Sequence, residues 1–416
     1  MLKYFVSSTE QLINMMTAIG LVYAYVVNAF DFKGRRYMNA AILCGLVLSF
    51  VILYFRQYTN MYATGLWNLR IFTASGIFFL TLIVFVILTS KFTETGRIGV
   101  CVSAAALTAL IMAYYMPAFL MLPHTAMLTE KSVLSSSFLL KFIGMLFGLI
   151  LTFVLGLSSY KGSLRSGKTH SLIYMLAVLA LNTVKYLGLS FGIMLARRLI
   201  KSNHTLFVFS KNVTNYSDWF TYAIIVICLV MQGIIFFRSL TYNEPYTNPA
   251  EHRKIIAKWR RARRWSVTAL VCAVISVCTM TVIDYYANRP VELSPMEDAA
   301  KLDDRNMYIS FEQVSDGALH RFGYTTEDGI TVRFIVIKKP NSSAYGVGLD
   351  ACDICGETGY YQRGTQVVCN LCDVVMNINT IGFKGGCNPI IIDYSIADGY
   401  IVVPYSTLIE HKSEFK

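Results

Sequence analysis

Eight apolar stretches, each about as long as a bilayer is thick, fill this chain before residue 288 and leave it few folds to choose from. They run over 9–30, 37–57, 70–90, 98–122, 133–157, 170–196, 218–240 and 265–287. Roughly 20 apolar residues of helix cross the hydrocarbon core. There a helix satisfies every backbone N–H and C=O within its own segment. The first stretch has no basic region before it and no small-residue cleavage site after it, so it reads as a retained helix. Composition agrees, with 55% hydrophobic and only 15% charged residues, where soluble domains carry about 25% charge. The expectation is a polytopic α-helical membrane domain of about eight spans over 1–288, a linker over 289–306, and a small, mostly β domain over 307–416.

Charge divides at the same place. Residues 1–288 hold 26 Lys+Arg against 8 Asp+Glu, and residues 289–416 hold 11 against 17. Basic loops orient membrane proteins toward the cytoplasm, so the basic half needs no nucleic acid to explain it. One set of alternate loops carries 16 cations: Lys33, Arg35, Arg36, Lys91, Arg97, Lys161, Arg165, Lys168 and Arg238, with seven more between Arg253 and Arg264. The other side carries eight, including Lys131, Arg197 and Arg198. The first side is therefore expected in the cytoplasm, and both termini outside it.

Few polar groups lie within the spans. Lys141 and Lys185 fall inside predicted helices, where a charge usually faces a cavity or a partner unless it snorkels to the interface. His124 closes a run with Met112, Met116 and Met121, donors that suit soft metals, although methionine is also common filler in apolar helices. Asp284, near a span end, stands as the one carboxylate close to membrane depth. Such scarcity argues against an ion pathway through this half alone.

After Pro290 and Pro295 the pattern changes. Runs over 307–311, 319–324, 330–338 and 344–349 read as strands, and 389–394 with 400–404 as a hairpin about Ala397-Asp398-Gly399. Among them sit Cys352-x-x-Cys355, Cys369-x-x-Cys372 and, further on, Cys387. Two C-x-x-C pairs can bring four thiolates to one point. Gly356 lets the first knuckle turn, and Arg363-Gly364-Thr365 would turn a hairpin that delivers Cys369. On the residues alone, four readings stay open. They are an iron–sulfur cluster, a structural zinc, Cu(I), and disulfides or a cycling dithiol. Cys387 makes the count odd and is an additional ligand or a redox thiol. His320 precedes a strand and could approach the site, although a surface histidine is the plainer reading. Asp350, Asp353 and Asn388 flank the ligands as groups that orient them.

The ordered set Asp350-Ala351-Cys352-Asp353-Ile354-Cys355-Gly356, Gly359-Tyr360-Tyr361, Val367-Val368-Cys369-Asn370-Leu371-Cys372 and Gly385-Gly386-Cys387-Asn388-Pro389 resembles the membrane iron–sulfur protein family typified by the D component of the bacterial Ftr ferrous-iron uptake system. The resemblance covers roughly 305–405. It implies a multi-span half before this domain, and a metal or iron–sulfur centre outside the cytoplasm of a bacterial membrane. It also implies redox-linked iron uptake alongside an iron permease and a ferrous-oxidising periplasmic or surface protein. In that scheme the electron passes through the centre to the membrane half and a quinone or a partner. The chain then acts as an electron-transfer component rather than a stand-alone enzyme. A zinc-stapled docking subunit and a thiol–disulfide oxidoreductase are the alternatives. No triad, P-loop, Rossmann glycine pattern or zincin helix appears in the sequence.

Overall fold

The computed structural model describes residues 1–59, 64–89, 93–128, 135–201, 204–287, 289, 291–364, 366–372, 374–383 and 387–415. Lys91, Lys131, Pro290, Thr365, Gly385 and Gly386 of the sequence reading lie outside them. The chain divides into two compact units, Met1–Asn288 and Arg289–Lys416.

The first unit is helical. It contains α1 (Leu2–Tyr58), α2 (Thr64–Leu88), α3 (Thr93–Leu128), α4 (Ser136–Ser166) and α5 (Lys168–Ala196). Then follow α6 (His204–Asn215), α7 (Ser217–Arg238) and α8 (Pro249–Cys278), which runs through a π-turn into α9 (Asp284–Ala287). Among the described residues, eight helical segments are long and apolar enough to cross a membrane, as expected. Two of them, Leu2–Phe30 and Lys33–Tyr58, belong to α1. That helix does not run straight. The Tyr23 hydroxyl donates to Asn39 Oδ1 at 2.7 Å, although 16 residues of straight helix would separate them by about 24 Å. The helical run therefore reverses between the two spans, where the sequence shows a basic loop.

Three further differences follow from local chemistry. The basic run from Arg253 to Arg264 is not a loop but the first half of α8. Asn248 caps that helix by accepting from the Glu251 amide at 2.8 Å, and Pro249 sits at its first turn, where no N–H is needed. Between spans six and seven lies α6, absent from the sequence reading. It is short and largely polar, and it packs by setting Val213 against Gly188 of α5. Finally, Glu10 lies inside the first span, so Asp284 is not the one carboxylate at membrane depth.

The bundle closes through small residues. Gly144, Gly148, Thr152 and Gly156 recur every fourth position on α4, one above the other on one face. A Cβ at Gly148 would meet Ser8 Oγ at 2.6 Å, and one at Gly156 would meet the Met16 carbonyl oxygen at 2.6 Å. Their absence lets α1 and α4 touch backbone to backbone, the usual means of helix association where apolar burial gives no preference. Buried side chains add polar ties. Ser8 donates to the Met145 carbonyl, Asn14 to Thr221 Oγ1, and Gln232 to the Ser158 carbonyl while accepting from Ser266.

The second unit is β-rich, as expected. One sheet has the order β1 (Lys301–Leu302), β2 (Asn306–Ser310), β10 (Tyr400–Pro404), β9 (Ser395–Ala397). A second is β3 (His320–Thr325), β4 (Thr331–Lys338), β5 (Tyr345–Leu349). A third is β6 (Tyr360–Arg363), β7 (Gln366–Cys369), β8 (Val375–Met376). All pairings are antiparallel.

β4 sets the layering. Successive side chains of a strand point to opposite faces. Phe334 and Val336 enter one core with Met307, Ile309, Ile401 and Val403 from the first sheet. Ile335 and Ile337 enter a second core with Tyr360, Val367, Met376, Cys352 and Cys369. Both faces of the strand are buried, which accounts for its unbroken β-branched run. The cysteines thus sit on the far side of a central sheet.

The hairpin about Asp398-Gly399 forms between β9 and β10, with both turn residues at positive φ (49° and 81°). That is the two-residue turn an Asp-Gly pair favours. Its first arm begins at Ser395 rather than Pro389. Pro389 has no N–H for a ladder, and Ile390 instead bonds Leu349 and Ala351 across the edge of β5. A short α10 (Tyr405–Glu410) follows, its Leu408 buried in the first core.

Candidate metal centre

The first knuckle is built by a backbone exchange. Cys352 and Gly356 bond each other in both directions, N–H to C=O, and Gly356 adopts φ +64°, a left-handed conformation that favours glycine. The turn aims the Cys355 amide at Cys352 Sγ, 3.1 Å away. The second knuckle leaves β7. Tyr360 pairs with Cys369 across the β6–β7 hairpin, and Gly364 turns that hairpin at φ +61°. The Cys369 amide then bonds the Val374 carbonyl at 3.0 Å, which closes a tight loop around Cys372.

These local turns bring all five cysteines together. The sulfurs of Cys352, Cys355 and Cys369 lie within 4.8 Å of one another, as do those of Cys355, Cys372 and Cys387. The two triples share Cys355. Cys387, the odd residue of the sequence, stands 3.6 Å from Cys372, sulfur to sulfur. All five are free thiols. Exposure is graded across the set: Cys352 and Cys369 are buried, Cys355 and Cys387 half-buried, and Cys372 exposed.

The thiols act on one another. Burial pushes Cys387 up to about 11, and the adjacent Cys372 adds to the shift. Burial and neighbouring thiols also raise Cys355, and burial raises Cys369. Cys372 goes the other way. Burial opposes its ionisation, but the Val374 amide and hydrogen bonds from adjacent thiols bring it below the ordinary thiol value. Thiols that hinder each other's ionisation are the set a bound cation would favour, since metal binding drives protons off its ligands. The donors fit a soft or borderline metal or an iron–sulfur cluster. They also exceed the four that one tetrahedral ion takes.

A charged network lies beside the centre. Asp350, 0% exposed, accepts from Arg321 Nε at 2.8 Å and from the Tyr360 amide at 2.8 Å, with Arg333 Nε at 3.4 Å. Arg321, 1% exposed, spreads its remaining donors over Ser294 and the Tyr360 carbonyl. The Tyr360 hydroxyl donates to the Cys387 carbonyl at 2.6 Å, and burial raises its pKa. An unbroken line of contacts therefore runs from Arg321 through Asp350 and Tyr360 to the fifth cysteine. Asp350 was legible as a flanking group. Arg321 was not, and Tyr360 was legible only as part of the Gly359-Tyr360-Tyr361 run.

The other candidates stand apart. His320 does not reach the sulfurs. Its Nδ1 faces Glu297 at 2.9 Å and its Nε2 faces Asp316 at 2.8 Å, so both ring nitrogens are engaged by carboxylates. Burial works against its charge, but the two carboxylates outweigh that and raise its pKa. Asp353 is exposed on the first knuckle, and Asn388 Oδ1 accepts from Thr380 at 3.4 Å. In the bundle, Lys141 lies over the Tyr4 ring at 5.8 Å, and Lys185 is half-buried on α5. His124 is exposed near the end of α3. Among the described residues, the metal-ligating groups that converge are the five cysteines.

No curated protein and no solved structure matches the chain. A protein-family model does: residues 314–415, which carry every cysteine of the centre, match the family described as "Membrane iron-sulfur containing protein FtrD-like".

Proposed function

We propose that this chain is a membrane-anchored iron–sulfur protein that passes electrons during ferrous-iron oxidation and uptake. The observation that carries the reading is the convergence of five cysteine sulfurs around Cys355. Cys352, Cys355, Cys369 and Cys372 are the proposed ligands, with Cys387 as a fifth donor. Bound there, an iron–sulfur cluster would take up and release single electrons. Cys352 and Cys369 fix its buried side, and Tyr360 holds the Cys387 backbone in place. Cys372 gives the site its open edge, where a redox partner can approach. The loop charges favour this domain outside the cytoplasm, and the resemblance to FtrD-like proteins supports a bacterial cytoplasmic membrane with a ferrous-oxidising protein and an iron permease as partners.

A single zinc is the second reading, favoured by one observation. A tetrahedral ion with Zn–S bonds of 2.3 Å holds its sulfurs about 3.8 Å apart, and the sulfurs of Cys352, Cys355 and Cys369 lie within 4.8 Å of one another, about an ångström from that spacing. Zinc would leave at least one of the five thiols without a role.

The test in cells is Cys369→Ser in the native host. Growth in iron-poor medium and uptake of labelled ferrous iron should both fall to the level of a strain lacking the protein. Uptake at the unmodified rate would contradict a role for the centre in iron acquisition.

A further inference from the structure

One cavity in the bundle combines features that simple packing leaves unexplained. It measures about 320 Å³ and is lined among the described residues by Glu10, Gln11, Arg56, Asn68, Tyr114 and Tyr115. These come from the first four spans. All sit toward the end of the bundle where α1 begins, and α1 packs there on α9, at the close of the last span. Glu10 lies eight residues into its helix, or roughly 12 Å by the helical rise. The cavity is therefore walled by apolar, span-length helical segments rather than by polar loops.

Three of its polar atoms are buried without a well-formed hydrogen bond. They are Arg56 Nε, the Tyr115 hydroxyl and Gln11 Oε1. Tyr115 is 8% exposed. The other end of the Arg56 guanidinium is fixed by Asn68 Oδ1 at 3.2 Å. An unsatisfied buried polar group costs about 1–3 kcal/mol, so three around one cavity call for an occupant. Two are donors and one is an acceptor, and Glu10 adds a carboxyl that can give or take a proton. The wall behind them is aromatic. Tyr114 lies edge-on to Phe72 and Tyr186, 4.9 and 5.5 Å between centroids, and Phe72 stacks on Tyr186 at 4.8 Å.

We propose that this cavity binds the headgroup of a membrane quinone. A quinone ring is flat and lipophilic, and matches the aromatic wall. Its carbonyl oxygens accept from Arg56 and Tyr115, and the hydroxyls of the reduced form donate to Gln11 and Glu10. The cavity volume lies at the lower end of the range for small-molecule sites, enough for a ring while its tail stays in lipid. The proposal rests on the electron-transfer reading above, which gives a quinone in the bilayer electrons to exchange.

The test uses the full chain in detergent, titrated calorimetrically with decylubiquinone and, separately, with menaquinone-4. One of the two should bind saturably at one per chain. Arg56→Gln and Tyr115→Phe should each weaken binding by about tenfold, the effect of one lost hydrogen bond. Tyr115→Phe keeps the ring and removes only the hydroxyl, and the melting midpoint of the variant in detergent checks that it folds. Arg35→Gln, which alters a separate cavity beside Met15 and Tyr23, should leave binding unchanged. No saturable binding of either quinone, or equal affinity in Tyr115→Phe and the unmodified chain, would overturn the proposal. Iron content measured on the same preparation reports on the cysteine centre separately. Quinone binding lost with iron present removes this inference alone, and quinone binding kept with iron absent removes the electron-transfer reading alone.

Discussion

Gly148 on α4 and Arg321 on β3 are both buried against a neighbouring element, and they show how differently the two units are held. In the bundle, helices meet where there is least side chain, with the small face of α4 laid against α1. The buried polar groups that tie its helices together, such as Ser8, Asn14 and Gln232, are single hydroxyls and amides answered by carbonyls or by one another. In the β unit the reverse holds. A full guanidinium and a full carboxylate are buried together, and the backbone at the cysteine centre is hung from them. The bundle depends on shape at a backbone contact, and the β unit on one charge pair and its satisfied hydrogen bonds. Damage to either should therefore stay in its own unit and have a different size.

The largest effect is expected at Asp350. Asp350→Ala leaves Arg321 buried without a counter-charge and the Tyr360 amide without an acceptor. Breaking such a pair costs about 3–5 kcal/mol. Hydrogen exchange on the full chain should show protection lost in β3, β4 and β6, with the helices of the bundle unchanged. Loss of protection in both units together would break the comparison.

A smaller effect is expected at Gly148. A Cβ there meets Ser8 and, at 3.0 Å, the Phe5 carbonyl oxygen. Gly148→Val should destabilise the bundle by about 1–3 kcal/mol, the usual cost of overpacking. It would lower the detergent-melting midpoint while leaving metal content per folded chain intact. A metal content that falls with it would mean that the two units are coupled.

The smallest effect is a pH dependence confined to the β unit. The His320 pKa is raised above its ordinary value of about 6.5, so the folded state binds that proton more tightly than the unfolded state. The resulting stability is fully present below the unfolded pKa and is lost as pH rises through the folded one. Exchange protection around β3 should decline over that interval, and His320→Gln should flatten the decline. Protection that increases with pH there would show that His320 is not held by Glu297 and Asp316 as a cation.

What could be read from the sequence follows the range of each interaction. The eight spans were legible because hydropathy is a property of a single segment. The two knuckles and the β6–β7 hairpin were legible because C-x-x-C, Gly356 and Arg363-Gly364 act within a few residues. The reversal inside α1 was legible as the basic loop between the first two spans, but the helical hydrogen bonding that continues through it was not. Neither were the contacts that assemble the centre. Arg321 finds Asp350 across 29 residues, and Tyr360 finds Cys387 across 27. A separation of 23 residues likewise hid the partner of His320, Glu297, which comes from the segment before β1. Glu10 was overlooked for another reason. One carboxylate barely changes the mean hydropathy of a span, yet it can define a cavity.

The central claim is that the five converging cysteines hold a redox-active iron centre. It is tested most directly by purifying the full chain anaerobically from its native host and measuring iron, acid-labile sulfide and zinc, with EPR spectra before and after reduction. Iron and sulfide are expected in stoichiometric amounts, with a paramagnetic signal that appears or disappears on reduction. Stoichiometric zinc, with neither iron nor sulfide, would contradict it.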